Sequence, residues 1–188
     1  MNLFNKISRL VLIFVLPIWA QFNLSLSTGL DYYEYELNYE TSPGFGIAVS
    51  YNFHPGSSFG LEYQRINLRQ KISTPSGSDF ISMAVSDVRL IYSYSVITDF
   101  YTLKISPLAG IGLKYFKRNA YLIQLGAFGR KIISGTSESF LAGSLALDIS
   151  KKLYKQVVLF VRPGISVYDL NNRYKVFSIA GGIDVRLF

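Results

Sequence analysis

The sequence predicts an all-β fold: a closed, eight-stranded, antiparallel, up-and-down transmembrane β-barrel behind a cleaved secretion signal. Three observations predict it. Lys6 and Arg9 precede an unbroken apolar stretch over 10–19 that ends near Ala20, the order of charge, greasy core and small residue found in signal peptides. In the rest of the chain apolar residues recur with a period of two, and no run reaches the ~18 apolar residues of a spanning helix. The opposite parity carries Gly, Ser and charges of both signs. An apolar face of this kind needs lipid as its solvent, and a polar face must close round a shared interior.

Residues 1–20 are set apart as the signal, with cleavage expected after Ala20 and the barrel domain over 21–188. Removing them takes away Lys6 and Arg9, so the net charge falls from +7 by two to +5. The chain has no cysteine, which excludes lipidation at the cleavage site, disulfides and thiol chemistry. With 49% hydrophobic residues dispersed along the chain, the two faces have to be read strand by strand.

Phe22, Leu24, Leu26, Leu30 and Tyr32 share one parity and make the first strand; Asn23, Ser25, Ser27, Gly29 and Asp31 face the other way. A polar loop over 33–43 follows. Phe45, Ile47, Val49, Tyr51 and Phe53 alternate with Gly44, Gly46, Ala48, Ser50 and Asn52 in the second strand. The turn His54-Pro55-Gly56-Ser57 leads to a third strand that starts with Phe59, Leu61 and Tyr63. Its phase slips near Arg65, where Ile66 and Leu68 take over, and this predicts a bulge.

The fourth strand carries Val88, Leu90, Tyr92, Tyr94 and Val96, and a turn is expected at 97–99. The fifth runs from Tyr101 to Tyr115, with Pro107 inside it. A long connection over 117–137 holds an apolar piece, 121–133, expected either to extend the hairpin or to form a short helix. Leu141, Leu145, Leu147 and Ile149 mark strand six; Val157, Leu159, Val161, Ile165 and Val167 mark strand seven, with Pro163 inside it. Bulges are expected at both prolines, which lack a ladder donor. Phe177, Ile179, Ile183, Val185 and Leu187 complete strand eight. The even count puts both ends of the barrel domain on the side of the short turns, the periplasmic side in bacterial barrels.

The inward parity collects Glu62, Asp87, Asp148 and Asp184 against Arg89, Lys104, Lys114, Arg162 and Arg186. An eight-stranded barrel is just wide enough for side chains to fill, so these groups are expected to pair across the lumen and plug it. Lys117, Arg118, Arg130 and Lys131 cluster in the long outer loop, where they either pair with lipopolysaccharide phosphates or simply keep the loop soluble. Tyr32, Tyr33, Tyr35 and Tyr39 in the first outer loop offer a surface for an unknown partner or part of an aromatic girdle.

Catalytic and metal chemistry find little support. His54 is the only histidine and lies in a predicted turn; a Ser-His-Glu arrangement with Ser57 or Ser58 and Glu62 is the one hydrolytic option. Glu34, Glu36 and Glu40 read as a solvated loop rather than a cation site. Gly110 and Gly112 read as strand glycines, not a dinucleotide fingerprint, and the scattered positive charges form no nucleic-acid stripe. No cofactor, metal or nucleic acid is expected.

Signal, strand count, short turns and the final Phe188 together resemble the small outer-membrane barrel family of OmpA, OmpX and OmpW type, across essentially the whole of 21–188. The resemblance rests on pattern and implies a monomeric, porin-like integral protein of the Gram-negative outer membrane. It also implies contact with lipid and lipopolysaccharide, and Phe188 as a signal to the barrel assembly machinery. One departure is that Leu187, Val185 and Ile183 run one residue out of step with Phe188. The expected role is structural or surface-interacting and not enzymatic. Alternatives are a narrow conduit for small or apolar solutes, hinted at by 121–133, and a lipid A-modifying enzyme.

Overall fold

The computed structural model describes residues 21–33, 39–40, 43–54, 56–74, 77–100, 103–124, 129–169 and 174–187; the expected signal segment and Phe188 lie outside them. The strands are β1 (Gln21–Tyr33), β2 (Tyr39–Glu40), β3 (Pro43–His54), β4 (Ser57–Thr74), β5 (Gly77–Tyr94), β6 (Ile97–Phe100), β7 (Leu103–Arg118), β8 (Tyr121–Gln124), β9 (Arg130–Ile133), β10 (Thr136–Lys152), β11 (Val157–Tyr168) and β12 (Tyr174–Arg186). Eight of them close a barrel in the order β1-β3-β4-β5-β7-β10-β11-β12, every pair antiparallel, with β12 returning to β1. Closure leaves no unpaired edge, the condition for crossing lipid with strands.

Apolar side chains on the outward parity stay exposed: Leu26, Val49, Leu61, Leu90, Leu113 and Leu145 among them. Asp87 is 4% exposed and turns inward. This is a soluble protein inside out, and only hydrocarbon makes such an exterior stable. On β7 the outward series from Leu103 to Tyr115 spans twelve steps, which at about 3.3 Å per residue and a tilt of 35 to 45° is roughly 28 to 32 Å. That covers the hydrocarbon. Near the turns a girdle of rings packs in pairs, Phe22–Tyr51 at 5.4 Å, Phe53–Phe59 at 5.2 Å and Phe59–Tyr92 at 5.1 Å between centroids. Toward the loops, Tyr32 lies directly opposite Phe177 across the β1–β12 ladder, and Phe45 meets Tyr63 edge-on at 6.3 Å.

Several strand limits differ from the sequence reading, and each difference has a physical reason. No bulge interrupts β4 at Arg65. The β4–β5 register runs unbroken from Ser57↔Tyr94 to Thr74↔Gly77, and Ile66 and Leu68 sit on the same inward parity as Glu62 and Gln64. The polarity inverts instead of the phase: Arg65, Asn67 and Arg69 are exposed while Ile66 and Leu68 are buried, the pattern expected of a strand that has left the lipid. The same inversion hid the loop-end half of β5. The bulge lies one turn lower, where the β3–β4 register shifts between Asn52 and His54. There Gly56 takes a φ of +89°, a conformation suited to glycine, and its carbonyl accepts from Ser95 N at 2.7 Å.

Neither proline makes a bulge. Pro107 lies where the β5–β7 ladder ends at Ser93↔Leu108 and the β6–β7 ladder begins at Ile97↔Ile105, so its missing donor falls in the gap between two partners. Residues 97–99 are therefore strand rather than turn, and Tyr101 lies outside the described residues. Opposite Pro163 the β10–β11 ladder skips from Ala146↔Gly164 to Ile149↔Val161 without a change of register. The connection over 117–137 resolves as the first of its two alternatives. β7 and β10 run on to pair Arg118 with Thr136, and β8 and β9 form a hairpin sheet of their own beyond them.

Candidate functional site

Inside the barrel three levels follow one another. At the loop end Ile66, Leu68, Val85, Phe116, Ala142, Tyr168 and Val176 form a single apolar cluster, with Leu68 and Val176 at 0% exposure. Rings carry much of its volume: Phe116 lies 5.0 Å from Tyr168 and 5.7 Å from Phe140, and Tyr174 packs tilted against Tyr168 at 5.4 Å.

Charged groups occupy the next level. Glu62 on β4 is directly opposite Arg89 on β5, and their side chains pair at 3.1 Å. Asp87 is opposite Lys114 on β7 and pairs with it at 3.7 Å, while Arg89 Nε approaches Asp87 at the same distance. Arg162 on β11 holds Asp148 at 2.9 Å on the neighbouring strand and Glu62 at 3.1 Å. In the closed strand order β4 and β11 are four steps apart in either direction, so the Arg162–Glu62 bridge crosses the full diameter. The result is one continuous ion ladder: Asp148, Arg162, Glu62, Arg89, Asp87, Lys114.

Neutral partners complete the ladder. Gln64 accepts from Arg89 at 3.0 Å and donates toward Asp31 at 3.5 Å. Lys114, 2% exposed, lies under the Tyr168 ring, with its nitrogen 5.5 Å from the centroid, and so ties the ladder to the apolar level. A glycine at this level lets the β5 and β7 backbones approach closely. Gly112 is directly opposite Arg89, and a Cβ there would strike the carbonyl oxygen of Val88.

Six of the nine predicted lumen charges thus meet in one network. Three do not. Asp184 accepts from the Ser25 hydroxyl at 3.0 Å instead of pairing with a cation. Lys104 and Arg186 line the turn end of the lumen, among serines and asparagines, and neither has an ion pair among the described residues. The expected full pairing does not form: Asp148 is already held by Arg162, and Asp184 takes a hydroxyl in place of either cation. Asp31, 4% exposed, belongs to the ladder level and was missed by the sequence reading although it stands on the inward parity.

The basic loop cluster is divided. Lys117, Arg130 and Lys131 are exposed at the loop end. Arg118 keeps the inward parity, and its Nε is buried without a hydrogen-bond partner. On the outer hairpin Leu122 is directly opposite Ile132, and both are exposed, Ile132 at 71%. Of the first-loop tyrosines, Tyr32 is exposed, and Tyr35 lies outside the described residues with Glu34 and Glu36.

The Ser-His-Glu option fails on distance. Ser58 and Glu62 are four residues apart on one strand, about 13 Å at strand rise. The oxygens of Glu62 are held by Arg89 and Arg162, and the Ser58 hydroxyl by that of Ser93 at 2.7 Å.

No family model and no curated protein matches the chain. Solved structures do. A major outer membrane protein from Thermus thermophilus superposes with a TM-score of 0.63 at 12% identity, covering 88% of this chain and 99% of that one. Ail, the attachment invasion locus protein of Yersinia pestis, solved with the heparin analogue sucrose octasulfate, gives 0.53 at 14% identity, covering 89% and 97%. OprG from Pseudomonas aeruginosa gives 0.53 at 11% identity, covering 89% and 96%. What this chain shares with all three is the fold of the small bacterial outer-membrane β-barrels.

Proposed function

We propose that this integral outer-membrane barrel has an envelope-structural or surface-interaction role without catalysis, and that side chains close its lumen. One observation carries the closure: the Arg162–Glu62 bridge across the diameter, with the apolar cluster stacked above it. A permeating solute would have to separate a buried ion pair and then pass a layer with few polar partners to offer it. Breaking a buried pair costs about 3–5 kcal/mol.

Surface contact is assigned to the loop end. Lys117, Arg130 and Lys131 beside the exposed Leu122 and Ile132 suit a partner with phosphates and acyl chains, which is the chemistry of lipopolysaccharide. The apolar piece that hinted at a conduit lies on the β8–β9 hairpin rather than in the barrel sheet, which favours contact over conduction. Phe188 as an assembly signal and cleavage after Ala20 remain part of this reading.

Planar-bilayer recording of the purified protein tests it. The expected trace is silent, and stable unitary steps would overturn the closed lumen. For the surface role, replacing Lys117, Arg130 and Lys131 with Gln should weaken lipopolysaccharide binding about tenfold or more. Unchanged binding would remove the assignment.

A further inference from the structure

The third level of the lumen, at the turn end, is a vestibule of about 460 Å³. That volume suits a small solute. Its charges are unequal: Lys104, Lys152, Arg162 and Arg186 line it against Asp148 and Asp184. Arg162 and Asp148 pair with each other, and Asp184 takes the Ser25 hydroxyl but keeps its charge, so Lys104, Lys152 and Arg186 stand against a single carboxylate. Lys104 and Arg186 are left facing the vestibule, and both also line its outer mouth.

A second observation at the same place is independent of charge. Asn23, 6% exposed, lines the vestibule and donates to Ser50 Oγ at 3.4 Å, while its Oδ1 is buried without a hydrogen-bond partner. A buried acceptor in that state calls for a donor. Two cations beside a wanting acceptor define a ligand with both features: an anion strong enough for two positive heads, and a hydroxyl group.

We propose that the vestibule binds a small hydroxylated phosphate, the phosphate between Lys104 and Arg186 and a hydroxyl on Asn23. A phosphate monoester carries about −1.5 to −2 at neutral pH and three acceptor oxygens, which matches two cationic donors better than a single carboxylate does. An anionic phosphate carrying a glycerol hydroxyl can come from a free periplasmic solute, as a monoester, or from the headgroup of a lipid, as a diester of single charge. The inference needs no closed lumen, so the bilayer recording and the test below fail separately.

The test uses the barrel refolded in maltoside micelles, titrated calorimetrically with glycerol 3-phosphate, inorganic phosphate and glycerol. Glycerol 3-phosphate should bind about tenfold more tightly than phosphate, and glycerol not at all. Lys104→Gln with Arg186→Gln should weaken binding at least about tenfold, and Asn23→Leu should erase the preference over phosphate. Anomalous migration before heating verifies folding; Lys104→Gln alone serves if the double variant misfolds. In a second arm, amide shifts of Lys104 and Arg186 are compared in nanodiscs of phosphatidylglycerol and of phosphatidylcholine with no solute added. Shifts confined to phosphatidylglycerol would assign the phosphate to a headgroup. Absence of binding in both arms, binding unaffected by the double substitution, or a preference that survives Asn23→Leu would overturn the proposal.

Discussion

The two halves of this barrel obey the same period and opposite polarities. At lipid depth, β4 turns Leu61 outward and Glu62 inward; a few residues on, the same strand turns Arg65 and Asn67 outward and Ile66 and Leu68 inward. The backbone does not change between them, since one register spans both. What changes is the solvent. A period of two reports a strand, and its sign reports what bathes the outer face, so one strand is built as a membrane protein below and as a water-soluble one above.

The largest test of that contrast is Glu62→Ala. It leaves Arg89 and Arg162 facing each other without their shared carboxylate, and it should cost about 4 kcal/mol in urea unfolding of the refolded barrel. A loss under about 1 kcal/mol would show the ladder to be hydrated and replaceable. Leu68→Ala, in the apolar level, should cost about 3 kcal/mol, since a fully buried side chain leaves a cavity. The equivalent truncation on the lipid-facing side, Leu145→Ala, should cost less, because acyl chains fill the space.

Most of the architecture was legible in the sequence because the strands at lipid depth alternate clearly from Phe45 to Phe53 and, apart from Leu108, from Leu103 to Tyr115. The loop-end half was not, for a reason that the comparison makes plain. Ile66 and Leu68 look out of phase only if apolar is assumed to mean outward, and the same assumption hid Ile81 and Val85 on β5. Parity also named the lumen charges without pairing them. Arg162 and Glu62 are a hundred positions apart and meet only because β4 and β11 are diametric once the barrel closes. The vestibule had a signal that went unread: Ser25, Ser50, Ser93, Ser106 and Ser150 all stand on the inward parity near the turns.

Two smaller predictions sharpen the contrast at the exterior. Leu145→Arg places a cation at lipid depth and should cost about 2–3 kcal/mol, measured by the same unfolding transitions. Ser82→Arg, at an exposed position on the outward parity of β5 in the loop-end half, should change stability by less than about 0.5 kcal/mol. Equal costs at the two positions would mean that hydrocarbon does not end where the polarity inverts.

The most direct measurement of that boundary is quenching of a single introduced tryptophan by lipids brominated on their acyl chains, in the refolded barrel of residues 21–188, which contain no tryptophan of their own. Leu145→Trp should be strongly quenched and Asn67→Trp scarcely at all. Comparable quenching at both positions, or stronger quenching at Asn67→Trp, would contradict the assignment of lipid to one half and water to the other.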